Sequence, residues 1–344
     1  MITVKEIAAL IGVSPATVSL ALNNKEGVSE ETRRKIRKVA EEHQYALPQV
    51  RKNTLRGSIQ FVKYAAHGMV VEENQGFIAS IIDQIEIECR RCSYDLIMTG
   101  CNRDTAVETF QMVAAKPSDG VILLGSEMSE DLIRMIYQIH APIIVIDNPM
   151  SYERVDSVVM ANESIAYDAM QYLYQIGHRN IGYLHSSVRV ANFEKRQIGY
   201  EVALEKLQLD QTLRIPLTPT LQGAYSDMKA YLQKDHAQNA IQSVSAFFAD
   251  NDTIAIGAMK ALQEFGCRIP DDISVIGVDD IPFSAINTPS LTTMRISRSS
   301  IGKLAVDTLL KRIAHPDSPN LHIQISGQLI ERHSTKKLNS SPNS

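Results

Sequence analysis

Thr3-Val4-Lys5-Glu6-Ile7-Ala8-Ala9-Leu10-Ile11-Gly12-Val13-Ser14-Pro15-Ala16-Thr17-Val18-Ser19 places two helix starts and a helix stop near the head of the 344-residue chain. Thr3 and Glu6 have the spacing of a capping box, in which the hydroxyl accepts the amide three residues on and the carboxylate reaches back to the cap amide. Val4, Ile7, Ala8 and Ile11 then form the apolar stripe of a short helix. Gly12 can take the left-handed conformation that ends it. Ser14 caps again, and Pro15 suits the first position of a second helix, because its missing N–H has no partner there. That helix runs to about Asn23, with Val18, Ala21 and Leu22 turned toward the first. A third begins after Ser29, with Glu30 and Glu31 at its positive end. Ile36, Val39, Ala40 and His43 lie on its inner face, and Arg33, Arg34, Lys35, Arg37 and Lys38 lie around the rest. Two short helices joined by a glycine turn and braced by a third make a helix-turn-helix, whose second helix enters the major groove N-terminus first. Geometry alone also allows a helical hairpin that binds nothing.

Charge favours the first reading. Residues 1–58 carry ten Lys/Arg and six Glu, a charge of +4, against −4 for the whole chain, so the remainder carries −8. A basic head on an acidic body places the polyanion partner at the head. The overall composition, 44% apolar and 22% charged, is that of a globular chain of two or three domains. No apolar run approaches the roughly 20 residues of a membrane span. Met1 to Glu6 lack the basic stretch and apolar core of a signal peptide, so a cytoplasmic protein is expected. Cys89, Cys92, Cys101 and Cys267 do not make a disulfide framework. Cys89-Arg90-Arg91-Cys92 has half-site spacing but sits in an amphipathic helical pattern with no second pair, so the thiols read as helix-face residues and no metal or cofactor is expected.

From Ile59 onward, apolar runs alternate with helical patterns. The runs are 58–62, 94–98, 120–124, 143–146, 181–184, 246–248 and 274–278; the helical stretches are 77–92, 108–115, 131–140, 165–177, 196–207, 254–265 and 301–313. Alternation of this kind predicts parallel sheets flanked by helices, and more than 200 residues of it predicts two lobes with ligands at the carboxyl ends of the strands. No G-x-G-x-x-G, P-loop, nucleophile elbow or HExxH occurs.

The motifs Val4-Lys5-Glu6-Ile7-Ala8, Gly12 to Ser19, Leu22-Asn23 and Val28-Ser29-Glu30-Glu31-Thr32-Arg33 closely resemble the headpiece of the lactose-repressor (LacI/GalR) family. The resemblance continues through Gly177-His178-Arg179-Asn180-Ile181-Gly182, Arg196 with Gly199-Tyr200, Asp250-Asn251-Asp252, Ile269 to Asp280, Pro289 to Thr293 and Leu329-Ile330-Glu331-Arg332. It implies an all-α helix-turn-helix headpiece (1–47), a hinge or linker (48–57) and an α/β effector-binding core (58–335) similar in fold to periplasmic sugar-binding proteins. The N-lobe is expected at about 58–161 and 291–320, the C-lobe at about 162–290 and 321–335, and a disordered tail at 336–344.

On DNA, the resemblance implies phosphate contacts from Ser14, Thr17, Asn23, Ser29 and Thr32, with Thr3 in the same DNA-binding set. Pro15, Ala16, Ser19 and Leu20 would face bases. Pro15, Ala16 and Leu20 offer no side-chain hydrogen bonds, which points to thymine methyl contacts, shape readout and Ser19. In the family a hinge helix follows and wedges a leucine into the minor groove. Here Gln49 to Gly57 is shorter and lacks an alanine-rich run. Leu55 as wedge, with Arg51, Lys52 and Arg56 on phosphates, and a plain basic linker both remain open.

For the effector, the resemblance selects Phe77 for stacking, Asn192 and Arg196 for hydroxyl or charge contacts, and Asn251 and Asp279, with Asp147 and Phe193 beside them. Each has an ordinary alternative: Phe77 as core, Asp279 as a helix cap, Asp147 as a turn residue before Pro149. The family's frequent aspartate before Asn162 is Ala161 here. The implied partners are a near-palindromic operator, a sugar-like small molecule and a second copy of the chain. The Lys/Asn/Ser/Pro-rich tail has no leucine heptads for a terminal coiled coil. The implied function is a regulator, most often a repressor, of carbohydrate-utilisation genes. The rivals are a sugar-binding protein without operator binding and an α/β enzyme using paired acids such as Asp250 and Asp252, or Asp279 and Asp280, on a sugar.

Overall fold

A computed structural model describes residues 2–22, 27–43, 45, 56–74, 76–210 and 213–338. The chain forms two compact units, Met1–Arg56 and Gly57–Ser344.

The first unit contains α1 (Val4–Ile11), α2 (Pro15–Leu22) and α3 (Glu30–Glu42). Thr3 and Glu6 form the reciprocal capping box, and Gly12 closes α1 at φ 76°, with its amide on the Ala8 carbonyl. Ile7, Ala8, Val18, Ala21, Leu22, Ile36 and Ala40 are all buried in one cluster. Two residues depart from expectation: His43, expected on the inner face of α3, is exposed at its C-terminal end, and Arg33 is buried rather than on the basic face. The Arg33 guanidinium donates to the Ala21 carbonyl at 3.3 Å and pairs with Glu30, so it serves a carbonyl in the last turn of α2.

In the second unit, β1 (Gly57–Tyr64), α4 (Phe77–Arg91), β2 (Tyr94–Cys101), α5 (Ala106–Ala115), β3 (Gly120–Leu124), α6 (Glu130–Ile136), β4 (Ile143–Ile146) and β5 (Asp156–Met160) build the N-lobe. The chain then crosses into the C-lobe: α7 (Asn162–Gln175), β6 (Ile181–Ser186), α8 (Ala191–Lys206), β7 (Arg214–Leu217), α9 (Leu221–Leu232), α10 (Ala237–Gln242), β8 (Ala246–Ala249), α11 (Asp252–Glu264), β9 (Ser274–Asp279), α12 (Pro282–Ile286) and β10 (Thr292–Arg295). It returns through α13 (Arg298–Ala314) and β11 (His322–Ile325), and crosses back with β12 (Gln328–Ile330). Strand order is β11-β5-β4-β3-β1-β2 in the N-lobe and β12-β10-β9-β8-β6-β7 in the C-lobe. All pairings are parallel except β12 with β10.

The α/β architecture of two parallel sheets flanked by helices is as the alternation predicts, with three corrections. β10 pairs with β9 and β11 with β5, so the last two crossovers fall near 296–298 and 326–327, not at 290 and 320. The expected boundaries placed each of these strands in the wrong lobe, because a four-residue strand carries no lobe label of its own. Residues 336–338 are docked on the C-lobe rather than part of a free tail. The Lys336 amide donates to Ser274 at 3.1 Å and the Leu338 amide to the Ile176 carbonyl at 2.8 Å. Finally, β5, β7, α9, α10, α12, β10, β11 and β12 fall where no element was expected.

One buried apolar cluster runs through both lobes beneath α4, α13, α7 and α8. A second lies under α9 and α11, and a third under α5 and α6. Helices α7 and α8 approach so closely that a Cβ at Gly199 would lie 2.1 Å from the Glu163 carbonyl oxygen. Beside it, Tyr200 stacks on Tyr183 at 4.6 Å and donates to the Ile181 carbonyl. Cys89 is buried on α4, where burial pushes its thiol up to about 12, so it is inert as a nucleophile or ligand.

Candidate functional site: the interlobe cleft and the headpiece

The carboxyl ends of the strands in both sheets converge on one cleft. Asp147 follows β4, Asp279 ends β9, and Asp250 and Asn251 follow β8 into α11. Asn192, Phe193 and Arg196 occupy the first turns of α8, and Phe77 begins α4. All seven residues selected for the effector line this single cavity, together with Val70, Asn74, Ile78 and Met160.

Arg196 is the hub. It is 2% exposed and donates through Nε to Asn162 at 2.8 Å, through Nη1 to the Asp250 carbonyl, and through Nη2 toward Asp279 at 3.4 Å. Asn162 in turn donates to Asn192 at 2.9 Å. Asn192 crosses to the other lobe, giving both hydrogens to Asp147, at 2.8 Å on Oδ1 and 3.0 Å on the carbonyl. The second Asp147 oxygen accepts from the Ser126 hydroxyl. On the far side, Asn74 of the N-lobe donates to Asp279 at 3.2 Å. The apolar walls are Phe77 and Ile78 on one lobe and Phe193 on the other, with Met160 between.

Burial shapes the charges. Asp147 is pushed up to about 6, chiefly by desolvation, with Ser126, Arg196 and Asn192 pulling it back. Asp279 is raised for the same first reason and restrained by Arg196. Asp147 and Asp279 also hold positive φ, 62° and 116°, a conformation that non-glycine residues adopt infrequently and that aspartate tolerates better than most. Arg298 adds a second guanidinium beside the cleft, donating to the Asp279 carbonyl at 3.1 Å, so two carboxylates, two guanidinium groups and side-chain amides give a polar pocket suited to a ligand carrying several hydroxyl groups.

The other acids are fully engaged in structure. Asp250 accepts from Tyr183, the Ser186 amide at 2.7 Å and Arg189 at 3.1 Å. Asp252 accepts from Ser284 at 2.6 Å, Thr293 at 2.5 Å and the Ile281 amide at 3.1 Å. Asp280 pairs with Arg295 and Arg332, each at 2.6 Å. Asn251 caps α11, accepting the Ile254 amide at 2.9 Å. Asn74, Ser126, Asn162 and Val70 were not selected from the sequence. Nothing in their local pattern distinguishes them, because their partners lie tens to hundreds of residues away.

In the headpiece the hydroxyls sit at helix starts. Ser14 accepts the Thr17 amide at 3.1 Å, and Ser29 accepts the Thr32 amide at 3.3 Å. Each is also paired hydroxyl to hydroxyl at 2.8 Å. Thr3 accepts the Glu6 amide at 3.4 Å. Thr3, Ser14, Pro15, Ala16, Ser19 and Ser29 are exposed, while Thr17, Leu20 and Thr32 are half-buried. Asn23 and Leu55 lie outside the described residues, as does most of the 48–57 linker.

Comparison with known proteins follows this division. Residues 3–47 match the profile "Bacterial regulatory proteins, lacI family", and residues 170–335 match "Periplasmic binding protein-like domain". The chain is 32% identical over 346 residues to the HTH-type transcriptional repressor PurR of Vibrio atlanticus (strain LGP32), covering 98% of this chain and 100% of that one. It shares its fold with a transcriptional regulator CelR–cellobiose complex, at 23% identity, TM-score 0.71, and coverage of 97% of this chain and 100% of that one. It likewise resembles a lac repressor dimer bound to operator and the anti-inducer ONPF, at 22% identity, TM-score 0.71, and coverage of 97% and 99%. Similarity over the whole length to a repressor with the same headpiece makes this chain a member of the LacI family, a DNA-binding transcriptional repressor and not an enzyme.

Proposed function

We propose that the protein represses carbohydrate-utilisation genes in the cytoplasm, binding a near-palindromic operator as a homodimer and changing its operator affinity when a sugar or sugar derivative enters the interlobe cleft. The observation that carries this reading is the convergence of Phe77, Asp147, Asn192, Phe193, Arg196, Asn251 and Asp279, drawn from both lobes, on one cavity. Aromatic walls beside carboxylates, amides and guanidinium groups form the surface a polyol uses: a ring face to stack on and polar partners for hydroxyls. Solved structures of similar fold carry cellobiose and, at 25% identity, ribose.

The cleft closes to about 10 Å³, room for a single water, whereas small-ligand sites measure roughly 300–1,000 Å³. Effector entry therefore requires the lobes to part and re-close on the ligand. This motion is the coupling device, and such couplings are typically about 1–3 kcal/mol. Ile87, Met98, Val107 and Met112 are each about half exposed, on the edge strand β2 and on the helices α4 and α5 that flank the N-lobe sheet. A second chain docked along that edge supplies the second headpiece that a near-palindromic operator, with half-sites about one helical turn apart, calls for. At each half-site α2 presents Pro15, Ala16, Ser19 and Leu20 to bases, while Thr3, Ser14, Thr17, Ser29 and Thr32 anchor phosphates; Asn23 and a Leu55 wedge complete the proposed DNA set.

The test is fluorescence anisotropy with the palindrome upstream of the gene, at fixed salt, with and without a panel of neutral sugars, sugar phosphates and amino sugars. Sequence-dependent binding that one sugar shifts several-fold supports the reading. Binding equal on scrambled DNA, or indifference to every sugar, rejects the corresponding half.

A further inference from the structure

Between β1 and α4 the segment 65–74 leaves the N-lobe and reaches the opposite lobe. Its shape is not maintained by secondary structure. A turn closes part of it, with the Glu72 and Glu73 amides on the Gly68 carbonyl and Lys63 paired with Glu72, and one carboxylate gathers the backbone around that turn: Glu127, just after β3, has a fully buried side chain. One of its oxygens accepts the amides of His67 at 2.9 Å and Gly68 at 3.1 Å; the other accepts those of Val70 at 2.9 Å and Val71 at 3.2 Å. The His67 ring lies 3.2 Å away, accepting the Met69 amide. Four amides on one carboxylate is the full acceptor capacity of that group, and hydrogen bonds to a charged acceptor are the strong kind.

The segment so held delivers two contacts across the cleft. Val70 packs against Val190 and Phe193 in a small cluster of its own. Asn74 donates to Asp279 at 3.2 Å and faces the Thr253 hydroxyl at 3.4 Å. The residue before Glu127 is Ser126, which donates to Asp147. The turn 126–127 therefore fixes the floor of the cleft with one side chain and its cover with the next.

We propose that Glu127 is a positioning residue that seats segment 65–74 as a lid on the cleft, with Val70 and Asn74 as the edge that closes on the C-lobe. Calling the cleft an effector site rests on the function proposed above; the seating of the lid by Glu127 does not.

The experiment uses the full-length protein without added ligand, so that it is decided separately from any sugar response. Amide hydrogen exchange and the nuclear Overhauser effect between Val70 methyls and the Phe193 ring are measured for wild type, Glu127→Gln and Val70→Ala. Glutamine keeps the shape but retains one acceptor oxygen and turns an NH₂ toward the remaining amides. Expected for Glu127→Gln is exchange at residues 67–71 faster by at least about tenfold, loss of the Val70–Phe193 contact, and unchanged exchange in β1, β3 and β4. Val70→Ala, which breaks the edge but not the seat, should keep the protection at 67–71. Unchanged exchange and an intact Val70–Phe193 contact in Glu127→Gln overturn the proposal. So does faster exchange spread evenly over the N-lobe sheet, which would make Glu127 a general stabiliser rather than a seat.

Discussion

As proposed ligand surfaces, the headpiece and the interlobe cleft present their polar groups in opposite ways. Ser14, Ser29 and Thr3 are exposed, and each bonds a partner three residues along the chain. Arg196, Asn192 and Asp279 are buried, and their partners lie 30 to 205 positions away. A polyanionic duplex supplies its own field and needs only a shallow, basic, pre-ordered face. A small neutral molecule must be surrounded, so its site needs charges held out of water and a second lobe to close on it. The headpiece hydroxyls should therefore be nearly independent of one another, whereas the cleft should respond as a network.

The largest effect expected is at the hub. Arg196→Ala strands Asp279 and frees Asn162, so urea unfolding should show a loss of about 3–5 kcal/mol, the usual consequence of breaking a buried pair. A loss below about 1 kcal/mol would mean that the cleft is wetter and looser than its contacts indicate. Next is Gly199→Ala. Its Cβ would fall inside contact distance of the Glu163 carbonyl, so α7 and α8 must separate. A loss of about 1–3 kcal/mol is expected by the same assay, with the headpiece transition unaffected if the two units melt separately.

A pH series sharpens the comparison further. His178 is buried, with Nδ1 at 2.9 Å from the Ser245 hydroxyl, and desolvation lowers it from 6.5 to about 4. The folded state then binds fewer protons than the unfolded chain between these values. Core stability from this residue is complete above pH 6.5 and falls as pH drops toward 4, by about 3 kcal/mol. His178→Asn should flatten that slope, which thermal melts from pH 7.5 to 4.5 would detect. The smallest effects belong to the headpiece. Ser14→Ala removes a cap worth about 1 kcal/mol and one proposed phosphate contact. Operator binding should weaken similarly on all related sequences, with a slightly shallower salt dependence and the core transition unmoved.

The same contrast explains how far the molecule can be read from its residues. Thr3, Glu6, Gly12, Ser14, Pro15 and Ser29 mark helix ends by rules that act within four residues, so the headpiece elements fall where local chemistry puts them. Arg33 escaped because its partner, the Ala21 carbonyl, belongs to another helix. In the core, the expected starts of α7, α8 and α11, at 165, 196 and 254, fall after the observed Asn162, Ala191 and Asp252, because polar first turns such as Asn162 and Asn192 interrupt the apolar period. Those first turns are where the cleft is built. The seven cleft residues came from family resemblance, not from periodicity, and Asn74, Ser126 and Glu127 carry no local sign at all. Their meaning comes from partners 21 to 205 positions distant, which only the folded topology supplies.

The central claim, that the interlobe cleft controls operator binding, is tested most directly by comparing wild type with Asp279→Asn in operator anisotropy titrations over the sugar panel. Both proteins are expected to bind the operator within about threefold of each other without sugar, and one sugar is expected to shift wild type by roughly 5- to 150-fold while leaving Asp279→Asn unmoved. An Asp279→Asn variant that still responds fully to the same sugar at the same concentration would place the effector elsewhere and contradict the account.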